Sequence, residues 1–427
     1  MIKIISAIRK FLLSNGQNVL RKSIIWNMLA SILNAAQSAI LLIFVIRICG
    51  EFDGGIFSIA TTVAYQMLTI GNYGMRNYQA TDIKPLFTFG QYFTSRLITT
   101  LAMIGVSILY VFISGYSAQK AAIVLVFCAF KFVDVIEDIF HGHFQQQGRL
   151  DVGGMAATIR YIVSFIIFFV VILCTHDLLL TCIVSAITSF ILFLILNLPV
   201  MSEFGGFSVD WHARPVFKLL AECFPLFLGA FLYLYICNSP KFSIDANLSQ
   251  EAQAYFGVLF MPVFVINLLS SFIYRPLLNQ MAVDWNASDF KGLYRTIKRQ
   301  LVIILLLTVI CVFGGYFVGI PLLEIIYGLD LGAYRMVLAI LMIGGGLAAL
   351  TGFLGSLLTV IRRQTMLLVG YAIVAAVAYF AASTFVQYYN IMGAAVFYTL
   401  LMAILSLILG MLTFIFLKRK NCRKIPG

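Results

Sequence analysis

Long apolar runs, broken at short intervals by polar clusters, set the pattern of this chain from residue 24 onward. A helix needs about 20 apolar residues to cross a hydrocarbon core. Runs of that length predict twelve spans, at roughly 24–46, 54–74, 92–114, 120–140, 154–174, 178–200, 217–238, 253–274, 298–319, 335–359, 365–386 and 392–417. The breaks are short and carry Gly or Pro, as in "CGEFDGG", "ISGYS" and "NLPVMSEFGG", the residues that punctuate helices. None is long enough to hold a soluble domain. The pattern predicts an all-α polytopic membrane protein.

Ahead of the first span, residues 1–23 mix Ile, Leu and Phe with Lys3, Arg9, Lys10, Arg21 and Lys22. They have no uninterrupted apolar core and no small-residue cleavage pattern, so they do not read as a signal peptide. A cytoplasmic amphipathic helix lying in the interface fits them; a frayed basic tail is the alternative. Two lobes follow, spans 1–6 over 24–204 and spans 7–12 over 217–417, with a linker at 205–216 and a basic cytoplasmic tail at 418–427.

The lobes echo one another. "FSIATTVAYQMLTIGNYGMR" from Phe57 to Arg76 and "FGVLFMPVFVINLLSSFIYR" from Phe256 to Arg275 have equal length and end the second and eighth spans. Gly142 precedes Arg149 by the same interval as Gly355 precedes Arg362. Six spans repeated in the same orientation give a parallel pseudo-two-fold repeat about the membrane normal, an architecture that transporters use for alternating access.

Composition agrees with the pattern: 62% of residues are hydrophobic and 11% charged, against roughly 25% charged in soluble domains. The distribution of Lys and Arg orients the chain. With both termini cytoplasmic, 24 of the 29 basic residues fall on the inner side, Arg76, Arg96, Arg149, Arg160 and Arg275 among them. Arg47, Lys120, Lys241 and Arg335 fall on the outer side, and Lys131 lies inside span 4. This bias accounts for the net charge of +12 without nucleic acid as a partner. The eight Cys stand singly in mostly apolar surroundings, with no zinc spacing, so neither a metal site nor a catalytic thiol is expected.

Span 4 is the exception to the oily pattern. In "FCAFKFVDVIEDIFHGHF", at 100° per residue, Lys131, Asp134, Glu137, Asp138 and His141 share an arc of about 120°. Lys131 sits about 15 Å below the outer end. A charge at mid-bilayer costs at least about 2–3 kcal/mol, so the arc must face protein or water, and its clustering suggests a water-filled cavity. Lys131 and Asp134 are spaced as an i,i+3 ion pair. The functional alternative is that Lys131 offers positive charge to an anionic substrate, while Asp134, Glu137 and Asp138 balance it or couple to a cation.

Other spans carry polar positions. Asn27, Ser31, Asn34 and Ser38, with Gln37 beside them, form a stripe along span 1 that suits interhelical hydrogen bonds or a cavity wall. Span 7 opens with Glu222 near Pro225, and "GGGLAALTGFLG" in span 10 suits close packing or bending. Arg47 and Arg335, against the inside-positive trend, either guide a phosphate towards the outer leaflet or snorkel.

The segments "GNYGMRNYQATDIKPLFTFGQYFTSRLI" (71–98) and "FKFVDVIEDIFHGHFQQQGRLDVGGMAATIRY" (130–161) resemble the polysaccharide transport family of bacterial flippases. That family belongs to a superfamily shared with multidrug extruders and lipid II flippases. The resemblance implies translocation of an undecaprenyl-pyrophosphate-linked glycan across the bacterial cytoplasmic membrane, with Na⁺ or H⁺ gradients as the drive and no other cofactor. It further implies glycan polymerase or assembly proteins as partners, and a basic cavity to which Arg76 and Lys131 contribute. Arg275 is added as the repeat counterpart of Arg76. The chain lacks the additional spans 13–14 of lipid II flippases, which argues against a peptidoglycan precursor. A multidrug exporter for cations, served by the span-4 carboxylates, is the alternative in the same superfamily. A membrane-embedded enzyme acting on lipid-linked sugars is the alternative of another class. Against the enzyme stand short outer loops, four His without acid–base partners, and no phosphate-binding GxxxxGK[ST] loop.

Overall fold

The computed structural model describes residues 9–13, 19–82, 86–206 and 208–422. Most of the predicted interfacial segment and residues 423–427 of the basic tail therefore lie outside the described residues. Every long element is a helix, and no strand occurs among the described residues. Nine of the described helical stretches are long and apolar enough to cross a membrane. The chain is a multi-pass membrane protein. Its exposed surface includes Phe112, Phe313 and Phe380, apolar side chains for which lipid is the solvent.

The chain divides into two compact units, residues 1–231 and 232–427. The first contains α1 (Val19–Cys49), α2 (Glu51–Asn72), the short α3 (Met75–Thr81), α4 (Phe89–Ile113), α5 (Ala118–Gln146), α6 (Leu150–Thr175) and α7 (Leu178–Met201). It also takes in α8 (Ala213–Asn247) as far as Phe231. Local chemistry sets the helix ends. Thr88 and Gln91 form a reciprocal capping box at α4, and Asp177 accepts from the Leu180 N–H at α7. Tyr73 and Gly74, both at positive φ, stop α2 and start α3.

α5 is the centre of this unit, packed against α2, α3, α4, α6 and α7. Both its apolar side, with Val133, Ile136 and Phe140, and most of its polar arc are therefore buried. Leu219 and Cys223 of α8 close the core around Phe140, Phe144 and Phe193. The Tyr73 ring stacks on Phe227 at 4.6 Å, and Gln66 donates to the Phe231 carbonyl at 3.0 Å.

The segment before α8 is anchored by Asp210. Its carboxylate accepts from Gln91 Nε2 and from the His212 backbone N–H, both at 3.0 Å, and its own N–H donates to Thr94 Oγ1 at 3.2 Å. The His212 backbone N–H, then the His212 imidazole and the Gln91 amide, hold the Asp210 carboxyl below the usual carboxylate range.

The second unit holds the rest of α8, α9 (Gln250–Tyr274), α10 (Leu278–Ala287), α11 (Phe290–Gly314), α12 (Ile320–Tyr327), α13 (Arg335–Val360) and α14 (Gln364–Cys422). α14 is a hairpin: Asn390, at φ 51° and ψ −137°, breaks it between residues 364–389 and 391–422. Of the two readings of the span-10 glycines, the structure shows close packing. A Cβ on Gly344 would lie 2.7 Å from Tyr398 of α14, on Gly345 3.2 Å from Val263 of α9, and on Gly346 2.2 Å from Thr308 of α11.

Three sequence expectations need correction. Arg96 and Arg160, counted with the inner-side basic residues, are fully buried inside α4 and α6. Lys241, read as an outer-loop residue, is buried because α8 continues to Asn247. The space facing the polar arc of α5, expected to be water-filled, is occupied by the Arg96 and Arg160 side chains.

Candidate functional site

Two linked ion clusters lie along α5. In the first, Lys131, with no solvent exposure, donates to Asp134 Oδ2 at 2.8 Å and to Gln37 Oε1 of α1 at 2.5 Å. Its ammonium also sits 4.5 Å from the ring centroid of Tyr65 on α2, a cation–π contact strengthened by desolvation. The other oxygen of Asp134 accepts from Arg160 Nη2 at 2.5 Å. Arg160 further donates to Glu137 Oε2 through Nη2 at 2.6 Å and Nε at 2.9 Å, and to Ser189 Oγ at 2.7 Å. Asn197 Nδ2 donates to Glu137 Oε1 at 3.0 Å, and His141 Nε2 stands 3.8 Å from the same oxygen. One cluster thus ties together α1, α2, α5, α6 and α7.

One turn on, Asp138 accepts from Arg76 Nη1 at 2.9 Å and from Arg96 Nη2 at 3.0 Å. Arg96 Nη1 also donates to the Gly71 carbonyl at 2.7 Å, and Thr99 Oγ1 reaches the same oxygen at 2.8 Å. Gly71 lies in the last turn of α2, where helical carbonyls lack partners. A guanidinium is a suitable cap there.

Charges removed from water cost several kcal/mol each even after relaxation, and pairing with full hydrogen bonding offsets that cost. Each carboxylate here meets at least one cation within 3.0 Å. Four cations, Lys131, Arg160, Arg96 and Arg76, face three carboxylates, Asp134, Glu137 and Asp138. The side chains of Lys131, Arg96 and Arg160 have no exposure, whereas that of Arg76 keeps 30%. Arg76 is where the positive surplus meets solvent.

The structure therefore gathers Lys131, Asp134, Glu137, Asp138 and Arg76 into one network. Asn34 stands beside it: its backbone carbonyl accepts from the Tyr65 hydroxyl at 3.2 Å, and its side-chain oxygen is buried without a partner. Glu222 of α8, half-exposed, accepts from the Tyr78 hydroxyl and lies 4.0 Å from Lys218. That bond pushes the Tyr78 phenol up to about 12, so it remains a donor at any working pH. Arg47, in the last turn of α1, Arg275, in the turn after α9, and Arg335, opening α13, are exposed and outside the network.

Sequence reading missed Arg96, Arg160, Tyr65, Ser189 and Asn197 as members. The signal was present: both arginines fall inside the predicted spans 92–114 and 154–174. Three carboxylates with one lysine also require further cations from neighbouring helices.

No protein-family profile and no curated protein matches the chain. Solved structures do. A multidrug-resistance transporter of the MATE family, in its inward-facing conformation, superposes with a TM-score of 0.69 at 11% identity, covering 99% of each chain. The lipid II flippase MurJ, inward closed, gives 0.67 at 13% identity over 94% of each chain. The chain has the fold of these transporters. A transporter of the same MOP superfamily from Pyrococcus furiosus, described as having a binding pocket of reversed polarity, gives 0.52 at 10% identity, covering 96% of this chain and 98% of its own.

Proposed function

We propose that the protein is a flippase that carries an undecaprenyl-pyrophosphate-linked oligosaccharide from the inner to the outer leaflet of a bacterial cytoplasmic membrane. Alternating access driven by an ion gradient is the mechanism that goes with this reading. The observation that carries it is the charge inventory of the α5 network. Its three carboxylates are all engaged by lysine or arginine, and the surplus cation, Arg76, reaches solvent. Such a site suits a diphosphate, which guanidinium geometry binds through paired N–H donors. The fold shared with a lipid II flippase supports the lipid-linked class. A flippase breaks no bond and needs no nucleophile.

Export of cationic compounds is the second reading, favoured by the fold shared with multidrug transporters and by the half-exposed carboxylate of Glu222. Proteoliposomes separate the two. Transbilayer movement of a fluorescent undecaprenyl-diphosphate oligosaccharide is measured beside accumulation of a cationic dye. The wild type is expected to move the lipid, and Arg76→Ala to slow it about tenfold, the worth of a charge-assisted hydrogen bond. Asp138 keeps Arg96 in that variant, so folding is preserved. Dye accumulation with a stationary lipid would establish the exporter instead.

A further inference from the structure

In the first unit Lys131, Arg160 and Arg96 are buried against carboxylates of α5; among the described residues the second unit contains a buried cation, Lys241, without one. Lys241 of α8 is 5% exposed and forms no ion pair among the described residues. Its ammonium lies 4.8 Å from the ring centroid of Phe260 on α9. The Phe260 ring in turn meets Tyr398 of α14 edge-on at 4.9 Å. On α8 the ionisable neighbours are Cys237 one turn before and Asp245 one turn after. Glu251 lies in the first turn of α9, and neither it nor Asp245 is paired with Lys241.

A second buried polar group lies on α9. Gln253 on α9 is fully buried, and neither its amide oxygen nor its amide nitrogen has a hydrogen-bond partner. α8 and α9 are consecutive helices joined at Leu248–Ser249. Gln253 and Phe260, seven residues apart, share a face of α9. An ammonium is donor-only, whereas an amine can also accept.

We propose that Lys241 is the group that takes up and releases the coupling proton of the transport cycle, an inference that rests on the chain being a transporter. Lysine can surrender its charge, whereas arginine keeps it throughout. The ring face of Phe260 attracts the ammonium, and a change in water access at this buried site would switch the group. The carboxylates of α5 are unsuited to this role. Each is held by a guanidinium or ammonium within 3.0 Å, and that bond must break before a proton is taken.

The test uses full-length protein in proteoliposomes with an imposed pH gradient. One pH unit biases a one-proton exchange by about tenfold. Wild-type protein should shift the leaflet distribution of the labelled lipid-linked oligosaccharide towards that limit. Lys241→Met, which places an apolar chain in the buried site, should still equilibrate the lipid without a gradient but show no gradient response. Lys241→Arg, permanently charged, should lose the response as well. A gradient response unchanged in both variants would overturn the proposal. A second readout does not depend on substrate: the ¹³Cε resonance of Lys241 in labelled full-length protein, assigned by its loss in Lys241→Met. A resonance that changes protonation over the pH range in which the protein is folded supports the proposal, even where no lipid-linked glycan moves and the flippase reading fails. A resonance that remains that of an ammonium throughout overturns it.

Discussion

Arg160 meets Asp134 and Glu137 at once, and its removal leaves both carboxylates buried with fewer donors. Breaking a buried pair from one side costs about 3–5 kcal/mol, so Arg160→Met should lower the melting temperature of the detergent-solubilised protein by a clearly measurable amount. Adding Glu137→Met should restore part of the loss, because it removes one orphaned charge. A double variant no more stable than Arg160→Met alone would show that Asn197, which donates to Glu137 at 3.0 Å, had already compensated that carboxylate. The charged arc of α5 was legible from helical spacing alone. Its partners Arg96 and Arg160 lie within predicted spans, but counting Lys and Arg by side of the membrane assigns them to headgroups whatever their neighbours. The Lys131–Asp134 pair is the geometry that i,i+3 spacing suggested, and Lys131 faces no solvent in it.

At the scale of elements, α1 and α6 approach so closely that a Cβ on Gly154 would lie 2.7 Å from the Asn27 backbone nitrogen and 2.9 Å from the Trp26 carbonyl carbon. Backbone cannot step aside as a flexible side chain can. Gly154→Ala should therefore destabilise by about 1–3 kcal/mol, read as a lower melting temperature, whereas Gly105→Ala, with open space at its Cβ, should not. The Asp210 anchor gives a pH-dependent prediction. Its carboxyl is held low in the folded chain, so its contribution is present above the unfolded carboxylate value and is lost as pH falls through the folded one. Limited proteolysis between residues 205 and 212 should accelerate on acidification in the wild type and be fast at neutral pH in Asp210→Asn. Equal cleavage of both proteins at neutral pH would remove Asp210 as the anchor. The helices themselves were legible because apolar runs of span length leave few alternatives. Their ends were less so: α8 runs nine residues past its predicted end at 238, through Pro240, which as a helix breaker suggests a stop there, and so carries Lys241 into the interior.

At the scale of the molecule, the first compact unit extends into α8 as far as Phe231. Leu219 and Cys223 are fully buried in the core of the first unit, and the Tyr73–Phe227 stack and the Gln66–Phe231 bond fasten the same helix to it. The first unit therefore needs the start of α8 to be whole. A fragment ending at residue 206 would uncover the apolar faces of Phe140, Phe144 and Phe193 and leave Tyr78 without Glu222. One ending at Asn247 keeps all of these contacts. Expressed in membranes and compared by fluorescence-detected size-exclusion chromatography, the longer fragment should elute as a single symmetric species and the shorter one as aggregate. Equal behaviour of the two would mean that the core of the first unit closes without α8, and that the bonds from Gln66, Tyr73 and Tyr78 position the helix rather than stabilise the unit.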